Sequence, residues 1–146
     1  MQPHSDMPAE CQELFIEATL VYQHSRRSSL ALARATTERL IRFISDDGKS
    51  SLNVQIGNIR SRISSGLYQM LDVVRYTGNE ALHESAPGEL VAVALSEDAS
   101  PDLILALLGT ANRLVEECIS RPAQDAELWG KLPPSVVDGI QRRKEK

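Results

Sequence analysis

Residues 30–44 read LALARATTERLIRFI, and this stretch does most to decide the fold. Its apolar and small side chains recur every three or four positions, which is the period of an α-helix: Leu30, Ala33, Thr37, Leu40, Ile41 and Ile44. Charged residues follow at steps of four on another face, namely Arg34, Glu38 and Arg42. The stretch therefore predicts a helix with one buried face and one solvated face.

Stripes of the same period occur on both sides of this helix. The apolar residues that form them, helix by helix, are Leu14, Phe15, Ala18, Val21 and Tyr22, then Leu52, Ile56, Ile59 and Ile63, then Leu67, Met70, Leu71 and Val74, and finally Leu103, Leu107, Leu108, Ala111, Leu114, Val115 and either Cys118 or Ile119. Aromatic residues make up only 4% of the chain, so the core must be aliphatic. Together these patterns predict an all-α fold, an antiparallel bundle of four main helices with short accessory helices.

Turn and capping residues predict where the helices end. Gly48 is available for a left-handed cap after the second helix, and Arg121-Pro122 should end the long helix that starts at Ser100-Pro101. Gly78-Asn79 should break the helix before it and start a short one over 80–84. Residues 89–98 fit a helical turn, a strand or an extended segment.

The 146 residues fit one domain with a single core. We expect residues 1–7 to be disordered and residues 8–121 to form the helical domain. Residues 122–146 should be a C-terminal extension with a short helix and a basic tail.

Charge is distributed unevenly although the whole chain carries only −4. Residues 26–62 carry a net charge of +5, whereas residues 72–127 carry −8. One interpretation is a basic helix pair packed beside an acidic one, each with a solvated face. The other is a basic surface that contacts RNA phosphates. Its candidate residues are Arg26, Arg27 and Arg34, and also Arg60 and Arg62.

Several functional classes find no support in the sequence. The two cysteines, Cys11 and Cys118, lie far apart, and no metal-ligand spacing surrounds either of them. Phosphate loops, nucleophile elbows and zinc motifs do not occur. The sequence therefore predicts a cytoplasmic protein with free thiols and no metal, no cofactor and no membrane span.

Arg75, Asn79 and His83 are the candidate catalytic residues, with Glu80 as a weaker candidate for orienting His83. A spacing of i, i+4 and i+8 would place them on one helical face, with a drift of about 40° per step. A guanidinium, an amide and an imidazole could bind phosphate and transfer protons without a metal. Alternatively, Arg75 caps a helix end, Asn79 satisfies a turn and His83 bonds to a backbone carbonyl.

Three elements of the chain resemble the domain-of-unknown-function 4145 (DUF4145) family. They are SSLALARATTERL at 28–40, the spacing Leu52-x3-Ile56-x6-Ile63, and LDVVRYTGNEALH at 71–83, which contains an R-x3-GN-x3-H box. That family is similar to the HEPN superfamily of helical domains. The resemblance covers residues 10–120 and implies an all-α bundle that forms a homodimer along the motif face.

The same resemblance implies two kinds of function. Many HEPN proteins are metal-independent RNases of toxin–antitoxin, antiphage and restriction systems, and others bind RNA or partner proteins without catalysis. Their RNase motif places four to six residues between arginine and histidine, whereas seven separate Arg75 from His83 here. We therefore expect a dimeric module that binds nucleic acid or protein. The alternatives are an endoribonuclease that uses Arg75, Asn79 and His83 across a dimer interface, and a purely structural interaction module.

Overall fold

The structure of the protein is a computed structural model that describes residues 1–82 and 100–146. Its α-helices are α1 Ala9–Val21, α2 Arg26–Ser45, α3 Leu52–Ile59, α4 Ser65–Leu82, α5 Pro101–Val115, α6 Arg121–Gly130 and α7 Pro134–Lys144. A 3-10 turn, Arg60–Arg62, follows α3, and a π turn, Glu116–Ser120, joins α5 to α6. No strand occurs in these two ranges, which confirms the all-α prediction for them. His83, residues 89–98 and the end of the predicted helix over 80–84 lie outside them.

The helix predicted from residues 30–44 is the centre of the packing. α2 contacts α1, α3, α4 and α5, and every residue of its predicted stripe except Leu30 is buried. The largest fully buried side chains come from all five of these helices: Phe15, Leu40, Ile41, Ile56, Ile59, Leu67, Leu71, Val74, Ile104, Leu107, Leu108 and Leu114. The core is therefore aliphatic apart from Phe15, as the low aromatic content predicts.

Serine residues cap four of the helices, and Ser64 is the cap of α4. Ser25, Ser51 and Ser100 each accept a hydrogen bond from the backbone N–H three residues later, as N-caps do. The end of α2 differs from the prediction, because Asp46 and not Gly48 adopts the left-handed conformation, with φ of 54°. Aspartate tolerates this conformation better than most residues since its short polar side chain forms local hydrogen bonds.

Pro122 does not end the long helix, contrary to the prediction. The chain passes from α5 through the π turn into α6, and Pro122 is the second residue of α6, so the continuous helix lacks one backbone donor there. Pro122 cannot donate to the carbonyl of Cys118, four residues earlier, but Arg62 donates to that oxygen at 3.0 Å. The wider π turn and this side-chain donor explain how the helix continues past a proline.

The first residues are packed against the bundle, which corrects the prediction of a disordered start. Met7 is only 3% exposed and belongs to the core. The backbone N–H of His4 donates to Asn112 Oδ1 at 2.8 Å, and the Ser120 hydroxyl donates to Asp6 at 2.6 Å. These bonds hold the segment against α5 and the π turn.

The C-terminal helices differ from the rest, because α6 and α7 contain no buried residue. The short helix that the sequence predicts in the C-terminal extension is α7. It runs over Pro134–Lys144 and therefore includes most of the basic tail. No helix in the described ranges is long and apolar enough to cross a membrane.

Candidate functional site

Helix α4 carries the candidate residues, and a network from α5 and the π turn fixes its start. The Ser64 hydroxyl oxygen accepts the N–H of Leu67 at 3.2 Å. Glu117 in turn accepts the backbone N–H of Ser64 at 2.7 Å and its hydroxyl at 2.9 Å. Arg113 donates to the same carboxylate at 3.3 Å. A carboxylate beside the N-terminus of α4 is also favoured by the helix dipole.

These contacts shift the ionisation of Glu117. Burial by itself raises the pKa of the carboxyl, but the hydrogen bonds from Ser64 and the charge of Arg113 together lower the pKa below its ordinary value of 4.5. Glu117 is therefore an ionised anchor for α4 at neutral pH.

The predicted break at Gly78-Asn79 is wrong, because α4 continues through both residues to Leu82. Packing of Leu67, Leu71 and Val74 into the core stabilises the helix before Gly78, and one glycine costs a helix only about 1 kcal/mol. Positions 75 and 79 consequently lie one turn apart on the same face of α4. The side chain of Asn79 and the whole of His83 lie outside what the structure describes, so their meeting with Arg75 stays a prediction.

Arg75 is held in place by its neighbours on α4. Its Nη1 atom donates to Asp72 Oδ1 at 3.0 Å, and its guanidinium carbon lies 5.4 Å from the centre of the Tyr68 ring. The side chain is 24% exposed. Its Nε atom is buried without a hydrogen-bond partner among the residues that the structure describes. Arg75 is thus oriented while part of its hydrogen-bonding capacity is unused.

A second arginine approaches the same tyrosine from the 3-10 turn. The guanidinium carbon of Arg60 lies 4.0 Å from the centre of the Tyr68 ring, within the range of a cation–π contact. The hydrogen bond from Arg75 is the main cause that lowers the pKa of Tyr68 below 10.0. Burial opposes it as the second-largest effect, and the charges of Arg60 and Arg75 add to the lowering. We call Arg60, Tyr68, Asp72 and Arg75 the arginine–tyrosine cluster.

The sequence did not identify Tyr68 or Asp72 as site residues. Both lie on the stripe of α4 that includes Arg75, at i, i+4 and i+7, and this spacing is a signal that could have found them. The neighbouring apolar stripe, with Leu67 and Leu71, is sufficient to predict the helix and does not point to a site.

The predicted RNA contacts on α2 are not equivalent. Arg34 donates from Nε at 3.1 Å and from Nη2 at 2.7 Å to the same oxygen of Glu38, and it is only 15% exposed. Arg26 lies 6.0 Å from the centre of the Tyr22 ring, and Arg27 is exposed. Arg34 is therefore committed to an ion pair within its own helix, which makes it the weakest of the three for binding RNA.

Metal-ligating and thiol chemistry receive little support from the described residues. No group of three or more His, Cys, Asp or Glu side chains there could hold a metal ion. Cys11 and Cys118 are free and buried, and burial raises the pKa of both thiols. Raised pKa values keep these thiols protonated and unreactive at neutral pH.

The bundle and the cluster define the protein as a small all-helical protein that displays two oriented arginines beside one tyrosine. Among known families, residues 16–131 match the model described as "Domain of unknown function (DUF4145)". This match spans most of the 146 residues, and the chain therefore belongs to the DUF4145 family. No curated protein and no solved structure matches the chain. The resemblance to DUF4145 is thereby confirmed, while the link to the HEPN superfamily stays a prediction.

Proposed function

We propose that this protein is an RNA-binding, HEPN-like module that works in the cytoplasm as a homodimer in a defence, toxin–antitoxin or restriction-type system. The observation that carries the proposal is the state of Arg75. Asp72 and Tyr68 orient its guanidinium on an unbroken α4, and the side chain is 24% exposed, with Nη1 the only guanidinium nitrogen bonded to a described carboxylate. An oriented guanidinium with unused donors suits a phosphate oxygen, because its planar fork matches phosphate geometry.

The basic segment 26–62 supports the same function. Within the described part of the chain, Arg26, Arg27 and Arg60 form no ion pair with a carboxylate, whereas Arg34 and Arg39 do. Arginines that are not neutralised by carboxylates favour binding of a polyanion.

The direct test is binding of a fluorescein-labelled single-stranded oligouridylate, measured by fluorescence anisotropy at low salt. The wild-type protein should bind, and Arg75→Gln should weaken binding. Arg142→Gln is the matched control, because it removes the same charge from the exposed α7 and should have a much smaller effect. Absence of binding by the wild type would contradict the proposal and would favour the alternative of a structural, protein-binding module. Light scattering of the same samples measures the molar mass of the protein and so tests whether it is a homodimer.

Metal-independent RNA cleavage is the second candidate function. It is favoured by the continuity of α4, which places positions 75 and 79 on one face one turn apart. In this mechanism one histidine, His83, takes the proton of the attacking 2′-hydroxyl and a second gives a proton to the leaving oxygen, while Arg75 stabilises the negative charge on the non-bridging phosphate oxygens. The second histidine would come from the partner of a homodimer.

Cleavage is tested with the same oligouridylate in excess chelator. The endoribonuclease hypothesis predicts cleavage that His83→Ala abolishes while the helical circular dichroism signal is retained. RNA that is bound but stays intact would exclude catalysis and leave the binding function standing.

A further inference from the structure

Arg60 and Arg75 reach one tyrosine ring from two separate elements of the fold. Arg60 belongs to the 3-10 turn Arg60–Arg62, and Arg75 belongs to α4. Their guanidinium carbons lie 4.0 Å and 5.4 Å from the centre of the Tyr68 ring. Like charges repel, so two guanidiniums at one ring are an arrangement that a bound anion would stabilise.

The donors of this pair are only partly used. Arg75 donates from Nη1 to Asp72 and also hydrogen-bonds to Tyr68, and its Nε is buried, so the remaining N–H groups of its two Nη atoms are the ones that an anion could reach. Arg60 is exposed and forms no ion pair with any described carboxylate, so the ring contact is what orients it. The ring orients both arginines, and Asp72 in addition orients Arg75. This orientation reduces the conformational entropy that each arginine would lose when it binds an anion.

The cluster as a whole carries a positive charge. Two guanidiniums and the Asp72 carboxylate leave one net positive charge, which matches the single negative charge of a phosphodiester. The Tyr68 hydroxyl adds a donor beside the guanidiniums.

We infer that Arg60, Tyr68 and Arg75 form a cradle for one phosphodiester group of the RNA backbone, with both arginines on the same phosphate. The inference rests on the proposed RNA-binding function and deepens it, because it names the bound group and adds Arg60 and Tyr68 to the site. Asp72 is a positioning residue that orients Arg75.

The salt dependence of oligouridylate binding tests whether the two arginines share a phosphate. Each phosphate neutralised on a single strand contributes about 0.7 to the slope of log affinity against log salt concentration. Sharing predicts that the double variant Arg60→Gln/Arg75→Gln lowers this slope by about 0.7 in total. A decrease of about 1.4, or no decrease, would overturn the shared cradle. Arg60→Lys should keep most of the slope yet bind more weakly, since lysine cannot form the two-point contact.

A second measurement does not depend on the double variant being folded or on RNA. Dimethyl phosphate, added to the wild-type protein, should shift the NMR signals of the Tyr68 ring, and Arg60→Gln should lose this response. Tyr68 signals that do not respond in the wild type would overturn the cradle. If RNA binds while dimethyl phosphate has no effect on Tyr68, only the cradle fails. If RNA does not bind at all, the proposed function fails.

Discussion

At the scale of single residues, the ionisation of Tyr68 reports on the cluster. A hydrogen bond from Arg75 is the main cause of its lowered pKa, because it stabilises the phenolate. We expect Arg75→Gln to raise the pH at which tyrosine ionisation begins, measured by ultraviolet difference absorbance. The variant Tyr68→Phe lacks the ionisation of Tyr68, so comparison with the wild type shows which part of the titration curve belongs to this residue. Identical titration curves for the wild type and Arg75→Gln would contradict the contact between Arg75 and Tyr68.

Glu117 is the second residue with a specific test. Its carboxylate accepts two hydrogen bonds from Ser64 and one from Arg113. Since hydrogen bonds to a charged group contribute about 1.5–3 kcal/mol, Glu117→Gln should lower the free energy of unfolding by about that amount at neutral pH. Glu127→Gln is the control, because Glu127 forms only an exposed pair with Lys131.

The pH dependence of this effect has a definite sign. The pKa of Glu117 is lower in the folded protein than the ordinary 4.5, so its contribution to stability is fully present above the unfolded pKa. That contribution is lost as the pH falls through the folded pKa. The difference between wild type and Glu117→Gln should therefore shrink in acid, as measured by urea unfolding, and a constant difference would contradict the role of Glu117.

At the scale of elements, the continuity of α4 is testable at Gly78. Glycine within a helix costs about 1 kcal/mol relative to alanine, so Gly78→Ala should stabilise the protein by roughly that amount if α4 continues to Leu82. Gly57→Ala in α3 is a matched control, because a Cβ atom there meets no other atom within 4 Å. A loss of stability at Gly78 with a gain at Gly57 would support the helix break that the sequence predicts.

Arg62 joins the end of α2 to the π turn that precedes α6. Its Nη1 donates to the carbonyl of Ile44 in the last turn of α2 at 3.1 Å, and its Nη2 donates to that of Cys118 at 3.0 Å. Arg62→Met should cost about 2 kcal/mol of stability in thermal or urea unfolding, because both carbonyls lose a charged donor. Arg62→Lys should restore little of this, since one ammonium lacks the two-pronged geometry. If Arg62→Lys were as stable as the wild type, the positive charge at position 62 and not the two-pronged geometry would explain the stabilisation.

The sequence predicts helix faces better than helix ends. The stripe of Leu40, Ile41 and Ile44 is buried as expected, because the period of apolar residues encodes burial directly. The ends at Gly78 and Pro122 were predicted wrongly, since local signals there are overridden by contacts distant in sequence. Arg62 beside Cys118 is one such contact, and no pattern near Pro122 reveals it. The residue type and spacing of Arg75 are enough to make it a candidate site residue. The contacts of Arg75 and Arg60 with Tyr68 depend on how the helices pack, and the sequence does not predict them.

At the scale of the whole molecule, the N-terminal segment is part of the domain. Met7 is buried in the core, and residues before it bond to α5 and the π turn. Met7→Ala should lower the free energy of unfolding by about 2–3 kcal/mol, as expected for truncation of a buried side chain. Met1→Ala is the control, because Met1 is 58% exposed. A disordered segment would leave both variants as stable as the wild type, measured by urea unfolding.

The proposed RNA-binding function depends on the surface of α4 that carries Arg75. The bundle holds Arg75 toward one ring that Arg60, a member of the basic segment 26–62, also reaches. The most direct measurement is the affinity of single-stranded oligouridylate for the wild type, Arg75→Gln and Arg142→Gln over a range of salt concentrations. The account predicts salt-dependent binding that Arg75→Gln weakens clearly more than Arg142→Gln does. Equal affinities for the two variants, or no binding by the wild type, would contradict it.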